Sequence, residues 1–160
     1  MAPSPARRTL LRLAPTLLLV HPVASAAQAS PTLRAFRAPG CGCCEGWAEH
    51  LRRAGFVVTL EDAPDLDAVR RAAGVPGDLA GCHTGLLGNR LVVEGHVPAV
   101  ALRRFLAAPG GWRGLAVPGM PAGSPGMEVP GVEPDAYTVF AFAADGRRAP
   151  FMTMRGDRAV

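Results

Sequence analysis

Strand-like and helix-like patterns alternate along residues 32–107, and this alternation limits the folds open to the chain more than any other feature. The first helical pattern spans 45–54, where Trp47 and Leu51 lie four positions apart on one face. A second helix is predicted over 66–73, because Asp65 can cap its start and Gly74 follows its end. Strand patterns occupy 32–37, 56–60, 84–87 and 91–94, and a third helix is predicted over 98–107.

The order β-α-β-α-β-β-α predicts an α/β domain with a thioredoxin-like sheet. Two strand–helix units are followed by a hairpin, for which Gly88-Asn89 supplies a two-residue turn, and by a closing helix. Another small α/β sandwich with the same element order is the alternative. The predicted core domain covers residues 27–110.

Residues 111–160 are predicted to form an extension of this core. Its first part, 117–134, has five prolines and four glycines among 18 residues, which predicts an ordered loop without regular structure. Large and small residues then alternate over 137–142, before the turn signal Asp145-Gly146. This pattern predicts a C-terminal β-hairpin.

The N-terminus has the features of an export signal peptide, predicted to cover residues 1–26. Arg7, Arg8 and Arg12 form a positive region, a short apolar stretch follows, and Ala-Ser-Ala at 24–26 offers a cleavage site. The arginine pair also matches a twin-arginine signal, so two export routes stay open. The alternative is an N-terminal tail without a targeting role. Either export route predicts the bacterial periplasm or the cell surface, where thiols meet an oxidising environment, and the periplasm is the location expected here.

Composition argues against two classes of partner. Of the 17 basic residues, all arginine, three lie in the predicted signal, which leaves 14 against 13 acidic residues in the mature chain. This near balance provides no basic patch for nucleic acid, and aromatic residues, at 6%, are too few for a base-stacking surface. No apolar run reaches the roughly 18 residues of a membrane-spanning helix. We therefore expect neither nucleic-acid binding nor stable membrane insertion.

Three of the four cysteines, Cys41, Cys43 and Cys44, lie within four positions at the predicted start of the first helix. Cys41 and Cys44 have the C-x-x-C spacing, which can close a disulfide at a helix start. Cys82 could then be bridged to Cys43. Structural disulfides are therefore one interpretation of the even cysteine count in an exported protein.

A soft-metal site is the second interpretation of these cysteines. A helix N-terminus favours thiolates through its free N–H groups and its dipole, and Gly42 permits a tight turn. Three sulfurs in one turn, joined by Cys82, would form an electron-rich group that suits Cu(I). Zn(II) is the poorer match, because structural zinc sites usually use two separated C-x-x-C pairs. A thioredoxin-like iron–sulfur site is a further alternative, although the spacing resembles neither common ferredoxin run.

Nearby histidines and methionines extend the candidate site. His83 directly follows the fourth cysteine and is a candidate ligand or hydrogen-bond partner of a sulfur. His96 precedes the third helix, where a capping or loop role competes with a ligand role. Met120 and Met127 lie in the Pro/Gly-rich loop and offer thioethers for Cu(I), although packing is the commoner role of methionine. His50, within the first helix, is expected on the surface.

Four sequence blocks occur in a fixed order along the mature chain. They are Cys-Gly-Cys-Cys at 41–44 before a helix with Trp47, Cys-His-Thr at 82–84, Val-Glu-Gly-His-Val-Pro at 93–98, and a Gly/Pro/Met block at 114–128. Together they resemble the CopG-like family of exported metal-binding proteins associated with bacterial copper resistance.

The resemblance spans roughly residues 32–143 and implies a thioredoxin-like fold. It further implies that copper is bound by the four cysteines, Cys41, Cys43, Cys44 and Cys82. A role in handling periplasmic copper follows from the same resemblance, including interconversion of Cu(I) and Cu(II).

The leading hypothesis is a periplasmic copper-binding protein, rather than an enzyme, that sequesters Cu(I) through the four cysteines. Several copper ions that share bridging sulfurs would offset the charge of four thiolates, so the hypothesis includes a polynuclear cluster. Copper ions and other periplasmic copper-handling proteins are the expected partners. The rival is a thiol–disulfide oxidoreductase that uses Cys41 and Cys44 as its redox pair. An arsenate-reductase-like enzyme is disfavoured, because no arginine-rich loop accompanies the cysteines.

Overall fold

The computed structural model describes residues 29–88 and 90–160, so the predicted signal at 1–26 lies outside the described residues. Within these ranges the chain forms eight strands, three α-helices and one short 3₁₀ turn, Gly77–Leu79. In chain order the helices and strands are β1 (Thr32–Arg37), α1 (Gly42–Arg53), β2 (Val57–Asp62), α2 (Leu66–Ala73), β3 (His83–Leu87), β4 (Leu91–Glu94), α3 (Ala99–Ala107), β5 (Gly114–Ala116), β6 (Ala136–Phe142), β7 (Arg148–Arg155) and β8 (Arg158–Ala159).

The eight described strands belong to one mixed sheet with the order β2-β1-β3-β4-β5-β6-β7-β8. Strands β1 and β2 run parallel, as expected for two strands joined through a helix, and β4 and β5 are also parallel. The other neighbouring pairs are antiparallel. The predicted α/β class is confirmed, and the predicted order of helices and strands over residues 32–107 is observed.

The hairpin between β3 and β4 differs from the predicted two-residue turn. Leu87 pairs with Leu91, so three positions, 88–90, connect the strands. Gly88 has a φ of +59°, a backbone conformation that glycine adopts without steric cost. The turn residues therefore located the hairpin correctly, although the prediction of its length was wrong.

The strand β5 is missing from the sequence prediction because its three residues show no alternation to detect. Gly114 allows it to join the sheet at close range. A Cβ at this position would overlap the Val92 carbonyl oxygen and lie 2.9 Å from the Phe142 ring. The absence of a side chain therefore lets β5 lie between β4 and β6 while the Phe142 ring covers it.

Helices cover both faces of the sheet, and side chains that alternate along the central strands divide the core in two. On one face, Val93 of β4 packs in a cluster with Trp47 of α1 and Leu102 of α3. On the other face, the adjacent Val92 packs with Ala73 of α2. These two apolar clusters hold the three helices against the sheet, because burial of apolar surface is the main stabilising contribution.

The C-terminal part of the chain continues the same sheet. Residues 117–135 contain no helix or strand, and β6 and β7 then form the predicted hairpin around Asp145-Gly146. Strands before and after residue 110 belong to one sheet. The boundary at residue 110 between the core domain and its extension remains a prediction. Among the described residues, no helix is both long enough and apolar enough to span a bilayer.

His50 is half-buried rather than at the surface as predicted. Its Nε2 accepts a hydrogen bond of 3.0 Å from the backbone N–H of Ala99, at the start of α3. The imidazole therefore caps a neighbouring helix. Burial, supported by the charge of Arg53, lowers the pKa of His50 against the opposing effect of Asp157 and Glu128.

Replacement of His50 by glutamine is expected to reduce the loss of stability in acid. Because the folded state lowers the His50 pKa, its contribution is present above the unfolded value of 6.5 and is lost as the pH falls through the folded value. Glutamine keeps an acceptor oxygen but does not titrate, so between about pH 7.5 and 5 the free energy of unfolding should fall less in the variant than in the wild-type protein. Urea unfolding of both metal-free proteins measures this difference. Parallel pH profiles would contradict it.

Candidate metal centre

The sheet topology brings the two cysteine-bearing segments together. Strand β1 ends at Arg37, which pairs with His83 at the start of the antiparallel strand β3. The end of β1 therefore lies beside the start of β3, which Cys82 directly precedes. Helix α1 begins a few residues after β1, at Gly42. Sequence segments almost 40 positions apart therefore meet at one edge.

The first turn of α1 carries three sulfurs. Cys41 is the N-cap residue and makes no side-chain capping hydrogen bond, while Cys43 and Cys44 lie in the first turn. Cys44 is fully buried, and the other two are half-buried. The first backbone N–H groups of a helix have no partner within it, and its dipole favours negative charge there. Negative charge brought to this turn by a ligand set is therefore stabilised by the helix end.

The four cysteine sulfurs lie within 4.8 Å of one another. Cys41 and Cys44 form a disulfide with a Cα–Cα separation of 5.5 Å, whereas Cys43 and Cys82 carry no disulfide. The Cys43 Sγ lies 3.5 Å from that of Cys41 and 3.9 Å from that of Cys82, and the sulfurs of Cys44 and Cys82 are 3.7 Å apart. The C-x-x-C pair is therefore oxidised, and the second bridge, Cys43 to Cys82, is not formed.

Cys82 is held close to a neighbouring segment by two glycines. A Cβ on Gly81 would lie 2.6 Å from the Cα of Gly95, and a Cβ on Gly95 would overlap the Val117 carbonyl oxygen, so neither position has room for a side chain. Burial, with the nearby Cys43 thiol, raises the pKa of Cys82 to about 12. In the metal-free protein this sulfur therefore keeps its proton at neutral pH, and a bound cation would displace it.

His83 lies under the sulfurs with one nitrogen unpaired. Its ring is fully buried and packs on Trp47 with ring centroids 3.9 Å apart, and its Nδ1 is 3.2 Å from the Cys82 Sγ. Its Nε2 has no hydrogen-bond partner among the described residues. Burial, followed by the neighbouring His96, holds the pKa of His83 well below its usual value, so the imidazole is neutral. A buried nitrogen without a partner is costly unless a ligand or a water binds it.

His96 belongs to the same site. Its Nε2 lies 2.9 Å from the Cys82 Sγ, and its Nδ1–H donates to the Pro125 carbonyl oxygen at 2.7 Å. This second hydrogen bond leaves the Nε2 lone pair directed at the sulfur, the arrangement in which protein carbonyls orient metal-binding histidines. Burial lowers the pKa of His96, so this imidazole is also neutral. Cys82, His83 and His96 thus form a second donor set within 4.8 Å.

A hairpin register could have indicated this second set from the sequence. In the observed pairing Thr84 is opposite Glu94, which places His83, the first residue of β3, beside the residues just after β4. His83 and His96 are therefore brought together by the antiparallel hairpin of β3 and β4, whose position the sequence predicts although the length of its turn differs. Pro125, whose carbonyl orients His96, lies in the loop and has no comparable sequence signal.

The Pro/Gly-rich loop packs directly on the cysteine-bearing turn. A Cβ on Gly46 would lie 2.8 Å from the Cα of Gly126, and one on Gly126 would overlap the Cys43 carbonyl oxygen. Met120 is exposed, and Met127 is half-buried with its backbone bonded to Ser124 and Gly123. The loop thus covers the turn, while the thioether role of the two methionines stays a prediction.

The arrangement offers four sulfurs and two neutral imidazoles in a mostly buried setting. Thiolates favour soft ions such as Cu(I), and imidazole nitrogens also suit Cu(II) and Zn(II). Cys82 is common to the four-sulfur set and the sulfur–imidazole set. The donor chemistry and the unpaired nitrogen of His83 therefore fit a metal ion of the copper type.

Comparisons with known proteins agree with this donor chemistry. Residues 79–127 match a family model described as a protein of unknown function, DUF411. Two solved structures are similar, "Copper resistance protein copG- Form 1" at 39% identity with a TM-score of 0.72, and Form 2 at 38% with a TM-score of 0.73. Each alignment covers 78% of this chain and 98% of the other. No curated protein matches the chain. At this identity and coverage, the chain belongs to the CopG-like family of copper resistance proteins.

Proposed function

We propose that this protein is a periplasmic copper-binding protein that sequesters Cu(I) through Cys41, Cys43, Cys44 and Cys82. The observation that carries the proposal is the convergence of four sulfurs, within 4.8 Å of one another, at a helix N-terminus. Thiolate sulfur prefers Cu(I), and the helix end favours the negative charge that the thiolates bring. The family membership of the chain supports copper as the ion.

Charge balance favours more than one copper ion in the reduced site. Four thiolates carry four negative charges, and one Cu(I) neutralises only one of them. Arg37 is close, but its guanidinium already contacts the Cys41 carbonyl oxygen, Glu45 and Asp62. Several Cu(I) ions that share bridging sulfurs would reduce the excess negative charge. His83 and His96 are proposed as additional ligands, and Met120 and Met127 as thioether ligands or delivery groups.

The cysteine pair also supports interconversion of Cu(I) and Cu(II). Oxidation of the Cys41 and Cys44 thiolates to the observed disulfide releases two electrons, which reduce two Cu(II) ions to two Cu(I) ions. Reduction of the disulfide by a dithiol protein restores both thiols. Cys82, His83 and His96 form a sulfur–imidazole set of the composition that binds Cu(II), and this set does not include the disulfide.

The proposal includes a thioredoxin-like core and export from the cytoplasm. The sheet order β2-β1-β3-β4, with β1 and β2 parallel and β3 antiparallel to its neighbours, supports the first element. The predicted signal at 1–26 supports the second. Other periplasmic copper-handling proteins are the proposed donors or acceptors of the ion.

Competition against a Cu(I) chelator under anaerobic conditions tests the central proposal. Replacing all four cysteines by serine should weaken binding by more than about 100-fold, because even the loss of groups that only support metal ligands costs about 10–100-fold. His50→Gln is the matched control, since it removes an imidazole outside both donor sets. Equal affinity of the wild-type and four-serine proteins would end the proposal.

A thiol–disulfide oxidoreductase is the second candidate, favoured by the disulfide at the start of α1. The two extra thiols weigh against it, since the sulfurs of Cys43 and Cys82 lie close enough to compete for mixed disulfides. Catalysed reduction of a model disulfide, lost on Cys41→Ser but unaffected by Cys82→Ser, would favour this candidate over copper binding.

A further inference from the structure

Glu94, the last residue of β4, is a fully buried carboxylate with three hydrogen-bond donors. Its Oε1 accepts from the Arg70 Nε at 2.9 Å and from the Gly81 backbone N–H at 2.7 Å. Its Oε2 accepts from the Thr84 hydroxyl at 2.6 Å. A buried carboxylate is costly unless it is paired and hydrogen-bonded, and these three donors meet that need.

These donors lie on both sides of the Cys82-His83 dipeptide. Gly81 precedes the dipeptide and Thr84 follows it, so one carboxylate binds both of its ends. Arg70 also donates to the Gly81 carbonyl oxygen. Both backbone groups of Gly81, its N–H and its C=O, are therefore hydrogen-bonded to this ion pair and fix the turn that leads into Cys82. The dipeptide carries the sulfur common to both donor sets and one of the two imidazoles.

We propose that Glu94, with Arg70, positions the Cys82-His83 dipeptide for metal binding. This inference rests on the proposed function, because it assigns a support to that same site. Within the described part of the chain, Glu94 makes no hydrogen bond to a sulfur or an imidazole and acts through the backbone on either side of the dipeptide. Buried ion pairs add little net stability, whereas groups that orient metal ligands typically change affinity by about 10–100-fold.

A double-mutant cycle isolates this role. In otherwise wild-type protein, Glu94→Gln should weaken Cu(I) binding by about 10–100-fold, measured by chelator competition. In a Cys82→Ser background the same change should cost less than about threefold, because the sulfur that it positions is gone and only the His83 imidazole of the dipeptide remains. Asp67→Asn is the matched control: Asp67 pairs with the exposed side of Arg70 and does not reach the turn. Equal losses in both backgrounds would overturn the proposal.

A second pair of variants guards against misfolding of Glu94→Gln. Thr84→Val removes the hydroxyl donor to Oε2, whereas Thr84→Ser keeps it. We expect the valine variant to weaken Cu(I) binding by about 10-fold and the serine variant to restore it. Loss of affinity in both variants, or in neither, would contradict the positioning role of this network.

A metal-free measurement separates this inference from the proposed function. With the disulfide intact, alkylation of Cys82 by iodoacetamide should be about 10-fold faster in Glu94→Gln than in wild type, because the turn opens locally. Alkylation of Cys43, followed by peptide mass spectrometry in the same sample, should be unchanged. Equal acceleration at both cysteines would indicate general destabilisation and overturn the proposal. Failure of copper binding alone would leave this result intact and would refute only the proposed function.

Discussion

Replacement of Cys82 by serine is expected to weaken the binding of both Cu(I) and Cu(II), whereas replacement of Cys43 should weaken Cu(I) binding alone. Cys82 belongs to the four-sulfur set and to the sulfur–imidazole set, while Cys43 belongs only to the first. Each lost sulfur should reduce Cu(I) affinity by about 100-fold or more, since even groups that only orient ligands contribute 10–100-fold. Cys82→Ser should also remove the thiolate-to-Cu(II) absorption band.

Paired titrations of the two variants provide the measurement. Cu(I) affinity is determined anaerobically with a competing chelator, and Cu(II) binding is followed by visible absorption in protein whose Cys41–Cys44 disulfide is intact. His50→Gln again serves as the control for loss of an imidazole elsewhere. If Cys43→Ser and Cys82→Ser affect Cu(II) binding equally, the separate sulfur–imidazole set does not exist in solution.

Replacement of Gly126 by alanine is expected to destabilise the metal-free protein by about 3 kcal/mol or more. The backbone there has a φ of +86°, which disfavours a side chain. The added Cβ would also overlap the Cys43 carbonyl oxygen and lie 2.5 Å from the Trp47 backbone nitrogen. Backbone strain and overpacking each cost about 1–3 kcal/mol. Displacement of the loop would withdraw the Pro125 carbonyl that orients His96.

Gly131→Ala is the matched control for this prediction. Gly131 lies in the same loop with a φ of +79°, but a Cβ there would meet no atom within 4 Å. The control should therefore lose only the conformational contribution, about 1 kcal/mol. Urea unfolding measures both free energies, and the copper titration shows whether His96 is still oriented. Equal destabilisation by the two substitutions would contradict the close contact between the loop and α1.

The elements that the sequence predicts well are those with local signals. The helix from Gly42 to Arg53 follows from the four-residue spacing of Trp47 and Leu51, and the C-terminal hairpin follows from its turn residues. The strands β5 and β8 have three and two residues, too few for a periodic pattern. Their existence depends on distant partners in the sheet, which local sequence does not specify.

The residues of the candidate site also differ in how strong a local signal each has in the sequence. The cysteines were identifiable from spacing and chemistry, and the convergence of Cys82 on the other three follows from the pairing of β1 with β3. The position of His96 depends on hairpin register and on the Pro125 carbonyl, so the sequence left its role open. Glu94 lacked any signal, because a charged residue at a strand end is ordinarily exposed.

The disulfide between Cys41 and Cys44 illustrates a different limit. Their spacing permits a bridge, but the same spacing also permits two free thiolates. The choice between these states depends on the reduction potential of the pair relative to its surroundings, which includes any bound metal. Sequence therefore indicates which pair can cycle without indicating which form predominates.

The donor atoms come from chain positions as far apart as 41 and 96, and the orienting carbonyl comes from position 125. An unfolded chain consequently offers these donors only in separate peptides, such as Cys-Gly-Cys-Cys and Cys-His, and metal bound to the complete set stabilises the native state. Proteases, which degrade opened chains, should therefore act more slowly on the loaded protein. Under the proposed function, complete degradation would release the bound ion to its surroundings, so the lifetime of the protein would limit how long the ion stays sequestered.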